Sequence, residues 1–245
     1  MNSRLRWSLI TLAAVVGVIV TASLGRWQLS RAAQKEAMQA AMDAQGSKMP
    51  LDTRALLAAP DASVLIYQHA RLKGQWVQGS TVFLDNRQMG GRVGFFAVTP
   101  LRLEGQDAVV LVQRGWVPRN FEVRASVPQI ETPSGVVEVQ GRIAPPPSKL
   151  YEPGTPAVGA IRQNLDLAQF QTETRLPLMG VTLQQTGAPS EGLLRDWPAI
   201  HLGVDKHYGY AFQWFGLAAL IAGLYLWFQI VRPYFLRPKD PAPHV

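Results

Sequence analysis

Residues 7–25 read WSLITLAAVVGVIVTASLG and residues 209–231 read GYAFQWFGLAALIAGLYLWFQIV, two uncharged stretches in a 245-residue chain that is 17% charged overall. At about 1.5 Å per helical residue, the first covers most of a hydrocarbon core roughly 30 Å thick. The second is long enough to span it with some tilt, and its aromatic residues suit the headgroup zones. Lys and Arg are retained on the cytoplasmic side, and both tails are basic: Arg4 and Arg6 precede the first stretch, while Arg232, Arg237 and Lys239 follow the second. Both termini are therefore expected in the cytoplasm. Arg26, Arg31 and Lys35 run against that assignment, but long translocated loops weigh little in the rule. The ordinary alternative for the first stretch is a cleaved signal peptide, which the small residues Thr21, Ala22 and Ser23 would suit. The length of the apolar run and the helical texture beyond it favour a retained anchor.

Between the stretches the composition is ordinarily polar. Arg26 to Met42 holds neither Gly nor Pro, so the first helix is expected to continue out of the membrane, and Asp52 to Ala59 reads as a short helix before Pro60. From Val64 the texture turns to strand-like runs separated by turn residues: VLIYQHARLKGQW (64–76), TVFLDNR (81–87), VGFFAVTPLRL (93–103), AVVLVQRGWV (108–117) and VVEVQGRI (136–143). Asn86 to Gly91 and Glu104 to Asp107 read as hairpin connections, which points to a small barrel or sandwich. Pro145 to Gly159 is too proline-rich for a sheet interior, Asn164 to Thr174 is helical in pattern, and Val181 to Gln185 and Ala199 to Leu202 are further strand candidates. The expected fold is a membrane α+β protein. Two transmembrane helices, 7–25 and 209–231, flank an extracytoplasmic (periplasmic), mostly antiparallel β-rich domain over 26–208 with an N-terminal helical extension, and residues 1–6 and 232–245 form cytoplasmic tails.

The chain has no cysteine, which removes disulfides, thiolate metal sites and covalent haem attachment. The net charge of +7 is scattered along the chain and suits anionic lipid or an anionic ligand better than nucleic acid. No GxSxG, HExxH, P-loop or suggestive carboxylate pair is present, so no enzymatic activity is expected. Of the four histidines, His244 lies in the Pro-rich tail, while His69 and His201 fall in strand candidates without metal-ligand spacing. His207 stands two residues before the second uncharged stretch, at the expected outer interface. On a helix it shares a face with Tyr210, Ala211 and Trp214, which supplies an imidazole, a flat gap and an aromatic wall. A haem iron needs an axial imidazole and its macrocycle needs apolar surface; an interfacial belt of aromatic residues is the plainer alternative. On the first helix Trp27 and Arg31 share a face, Gly25 would let a neighbouring helix approach and Gln28 would hydrogen-bond across to it. Arg31 suits a haem propionate or, equally, an interfacial headgroup. Arg87, Arg92, Arg114 and Arg119 flank strand ends beside Gly or Trp; most read as stacked structural groups, and one or two could instead face the membrane-proximal side and meet an anionic ligand or a partner protein.

LGRWQLSRAAQK (24–35), LKGQW (72–76), FLDNRQMGGRVGFFAVTPL (83–101), VLVQRGWVPRN (110–120), QGRI (140–143) and HYGYAFQWF (207–215) together resemble the surfeit-locus protein 1 family (Shy in yeast) of cytochrome c oxidase biogenesis factors. The resemblance covers both apolar stretches and most of the β region in the family's order. It implies a two-span inner-membrane protein that aids haem insertion into the catalytic subunit of a haem–copper oxidase, with partners in that subunit and the haem a synthesis machinery. Bacterial members are regarded as binders of non-covalent haem a; the family's second-span histidine matches His207, as axial ligand to the haem iron, and its first-span tryptophan matches Trp27. Val204, Asp205 and Lys206 stand where the family often carries asparagines. A scaffold that stabilises an oxidase subunit without haem is the competing reading. The short basic amino terminus makes a mitochondrial inner membrane the less expected location.

Overall fold

A computed structural model describes residues 3–119, 129–152, 159–198 and 202–235. The chain forms two compact units, one of residues 1–40 with 200–245 and one of residues 41–199.

The smaller unit is a pair of apolar helices, each long and apolar enough to cross a membrane, which is compatible with a membrane protein. The first helix, α1 (Ser3–Gly46), runs for 44 residues without interruption. It is about 66 Å long, roughly twice a hydrocarbon core, so its polar end extends beyond one. The helix from Val204 to Tyr225 is antiparallel to it: Thr11 bonds Tyr225 at 3.0 Å, Gly17 abuts Ile221 and Gly25 abuts Phe215. A stripe of buried or half-buried residues runs along α1 through Thr11, Ala14, Val18, Thr21, Gly25, Gln28, Ala32 and Lys35, repeating at alternating steps of three and four. Small residues along such a seam let helices approach where lipid removes the hydrophobic drive to associate. After Tyr225 the helix widens to a π turn over Leu226–Val231. Pro233 explains the change, since it lacks an N–H and its ring would meet the carbonyl four residues back.

The larger unit is built on one mixed sheet. Its strands are β1 (Leu51–Asp52), β2 (His69–Trp76), β3 (Val82–Met89), β4 (Arg92–Leu103), β5 (Val109–Pro118), β6 (Val136–Ala144), β7 (Ile161–Arg162) and β8 (Leu178–Gln185). Short helices α2 (Thr53–Ala58) and α3 (Leu167–Thr174) accompany them, each capped by the aspartate before it, Asp52 and Asp166. Because β2 pairs with both β6 and β4, the order β2–β6–β8–β5–β4 returns to β2 and closes a five-stranded barrel with Greek-key connections, the architecture of OB-type barrels. Gly74 makes closure possible: it pairs with Leu103 on one side and Val137 on the other, and a Cβ there would overlap the carbonyl of Arg102. Alternation along β2 turns Ala70, Leu72 and Trp76 inward to meet Leu101, Val110, Val112, Ile143 and Leu183, with Leu56 of α2 closing the core. β5 is buried on both faces because β3 and α3 cover its outside, packing Leu84 and Phe170 against Leu111.

The pairing is mostly antiparallel, as expected, with β1–β2, β3–β7 and β5–β8 parallel. Two expectations are corrected. The segment 86–91 is not all turn: β3 continues to Met89 and only Gly90 and Gly91, with φ of 56° and 75°, make the connection. Its polar texture reflects a bulge between Leu84 and Arg87, where Asn86 takes a φ of 60°. Residues 64–66 are not strand, because Asp61 accepts from the Ser63 N–H at 2.8 Å and starts a 3-10 turn over Ala62–Leu65. The strand candidate at 199–202 lies almost wholly outside the described residues, as do His201, His244, Arg237, Lys239 and Asn120.

Candidate functional site

The helix of the smaller unit that begins at Val204, here α4 (Val204–Tyr225), is opened by Gly203 in a left-handed conformation with φ 66°, so His207 falls in its first turn. There α1 makes three polar contacts, two with α4 and one with the segment that leads into it. His207 Nδ1 lies 2.6 Å from Oε1 of Gln28, Lys35 Nζ donates to the Leu202 carbonyl at 2.5 Å, and the Tyr208 hydroxyl donates to Glu36 at 2.8 Å. Gln28 is 9% exposed on the α1 stripe, one step after Gly25. The missing side chain at Gly25 admits the Phe215 ring, which a Cβ there would meet at 2.8 Å. Oε1 can only accept, so the contact is a hydrogen bond in the tautomer that carries its proton on Nδ1, which has its lone pair on Nε2.

Not all of the sequence candidates share this seam. His207 and Trp214 are half-buried and Ala211 is buried, all on the face turned to α1. Tyr210 is 53% exposed and Trp27 52% exposed. The Arg31 guanidinium stands 5.8 Å from the Trp27 ring centre and bonds Gln34 at 3.2 Å, on the outer side of α1. A stripe through Gly25, Gln28 and Ala32 leaves position 27 off the seam, so an amide and not an indole faces the imidazole. Lys35 and Arg31 are the cations whose field acts on His207. The sequence reading missed the contacts of Lys35 and of the Tyr208–Glu36 pair; the seven-residue spacing from Gln28 to Lys35 was the available signal.

The arginines of the β unit form a separate set. Arg87 is buried over the Phe96 ring and donates to the carbonyls of Ser148 and Gln163 at 2.8 and 2.9 Å. Arg92 lies over Trp116, Arg119 over Phe95 with an ion pair to Asp85, and Arg114 over Trp76. Burial holds the Arg87 and Arg114 guanidiniums below the ordinary arginine range. Each of the four arginines stacks on a ring, as structural groups do. Arg162, which the sequence reading did not single out, does the same over Phe170 and pairs with Glu173 at 3.1 Å. Among the described residues, no group of three or more His, Asp or Glu side chains is gathered as a metal site would need.

A five-stranded barrel carried on a chain with two membrane-length helices, one bearing a histidine in contact with an amide of the other, defines a protein of a barrel unit and an apolar helix pair with a polar site on that pair. Residues 15–219 match the model of the SURF1 family. A SURF1-like protein of Rickettsia felis is 25% identical over 221 residues, covering 88% of this chain and 94% of that protein. A SURF1-like protein of Rickettsia prowazekii is 27% identical over 225 residues, 85% of this chain and 84% of the relative. A third, from Monosiga brevicollis, is 30% identical over 145 residues, 55% and 51% respectively. The chain belongs to the SURF1 family, whose members are oxidase assembly factors.

Proposed function

We propose that this protein holds haem a non-covalently at the outer face of the membrane, with His207 as axial ligand, and gives it up to the catalytic subunit of a haem–copper oxidase. The observation that carries the reading is the setting of His207: half-buried in the first turn of α4, with its Nδ1 2.6 Å from Oε1 of Gln28, so that Nε2 is the nitrogen a metal would take. The surrounding groups suit that ligand. Trp214 and Ala211 continue the same face, and Lys35 and Arg31 supply positive charge for carboxylates. Without cysteine the chain has no group for thioether attachment, which suits a cofactor that must be released. Bound haem would supply the redox iron that the recipient enzyme uses. The chain's own work is to ligate, shield and release, so no turnover chemistry is required of it.

The reading includes a topology. Helices over 7–25 and 209–231 cross the cell inner (plasma) membrane, both termini are cytoplasmic, and residues 26–208 lie outside, where they meet the oxidase subunit and the haem a synthesis machinery. The test is the optical spectrum of full-length protein purified in detergent from cells that make haem a. The wild type is expected to carry the cofactor and His207→Ala to lose the Soret band. An unchanged haem content in the variant refutes the ligand, and a wild type without cofactor favours a scaffold that stabilises an oxidase subunit.

A further inference from the structure

Resting on that haem reading, we propose that Gln28 is the positioning residue of the ligand, selecting the tautomer of His207 and tuning its strength as a donor. The facing atom is Oε1 at 2.6 Å, an acceptor without a proton. A neutral imidazole has one N–H, and this contact places it on Nδ1, against the preference of free histidine in water. The lone pair that remains is on Nε2. The contact also limits rotation of the ring about its bond to Cβ, so the ligand is oriented before a metal arrives. An acceptor on the far nitrogen makes an imidazole a stronger donor and favours the oxidised metal.

Gln28 is hard to explain by packing alone. It is 9% exposed, and the stripe residues around it are Thr21, Gly25 and Ala32. A buried amide in such a seam costs free energy unless it is bonded, and an apolar residue of similar size would fill the space at no such cost. The contacts on either side keep the pair in register. Gly25 against Phe215 sets the approach of the helices one step away, and Lys35 holds the Leu202 carbonyl one heptad further on.

The experiment uses the full-length chain in detergent in two states. Without haem, NMR of ring-¹⁵N-labelled histidine reports the tautomer of His207, assigned by its loss in H207A. The wild type and Q28E should hold the proton on Nδ1, and Q28L should shift it to Nε2. Loaded with haem a, Q28L should bind about 10–100-fold more weakly. The reduction potential should rise in Q28L and fall in Q28E, opposite movements that loss of packing would not produce. A wild-type proton on Nε2, or one potential shared by all three proteins, overturns the role of Gln28 and leaves the haem reading standing. Haem retained by H207A overturns both.

Discussion

Arg114 in the barrel unit offers the sharpest test of what holds that unit together. Its side chain is 2% exposed and its guanidinium carbon is 4.5 Å from the Trp76 ring centre. One amino nitrogen donates to the Glu131 carbonyl at 2.8 Å and pairs with Glu191, whose side chain is 30% exposed. A desolvated cation over an indole is worth about 2 kcal/mol. The cost of burying the charge offsets much of the attraction to Glu191, which is why burial dominates the depressed basicity of this arginine and Glu191 only opposes it. Arg114→Ala loses the stack on Trp76 and the charged hydrogen bonds to Glu131 and Glu191, a change that should cost about 3–5 kcal/mol. Glu191→Gln leaves the arginine bonded to a neutral partner and should cost about 1–3 kcal/mol. The double variant should fall short of the sum by about 0.5–3 kcal/mol, because each change removes the same pair. Urea unfolding of the full chain in detergent, followed by tryptophan fluorescence, reads all three values. An Arg114→Ala protein within about 1 kcal/mol of wild type, or strict additivity, would refute a stacked and paired arginine as a structural centre.

Gly74→Ala should destabilise the barrel by about 3 kcal/mol, since its Cβ has backbone in its way and a barrel strand cannot retreat as a side chain can; a neutral effect in the same unfolding assay would mean β2 and β4 do not close. Lys149 and the backbone N–H groups of Gln169 and Ala168 hold Asp166 below the ordinary aspartate range. A depressed carboxylate stabilises the fold above its unfolded value of about 3.9, and that contribution is lost as pH falls through the folded value. Asp166→Asn should therefore lose less stability than wild type on acidification below about pH 4, and identical acid profiles would sink the argument. Reporter fusions within residues 26–208 should report an extracytoplasmic location and fusions at either tail a cytoplasmic one; the reverse would turn the His207 end of the helix pair to the wrong side.

The apolar stretches, the five principal strand runs and the short helix before β8 were legible because each rests on a local property: unbroken hydropathy, period-two alternation, or an aspartate placed to cap. The stacked arginines were legible too, since Arg beside Gly and Trp near strand ends is a local pattern. Ring closure was legible only as one of two options, barrel or sandwich. It depends on β2 choosing two partners at Gly74, and a glycine in a strand says only that something approaches closely. The parallel pairing of β5 with β8 was hidden, because strand direction follows from where the chain returns after β6 and α3. At the helix pair, sequence alone determined the imidazole of His207, the small residue at Gly25 and the amide at Gln28. Only the tertiary structure decided that the amide meets the imidazole while Trp27 turns away. The face a helix residue presents is set by its spacing along the helix, but which residue it meets on a second helix depends on their relative register, and register is a property of the packed pair.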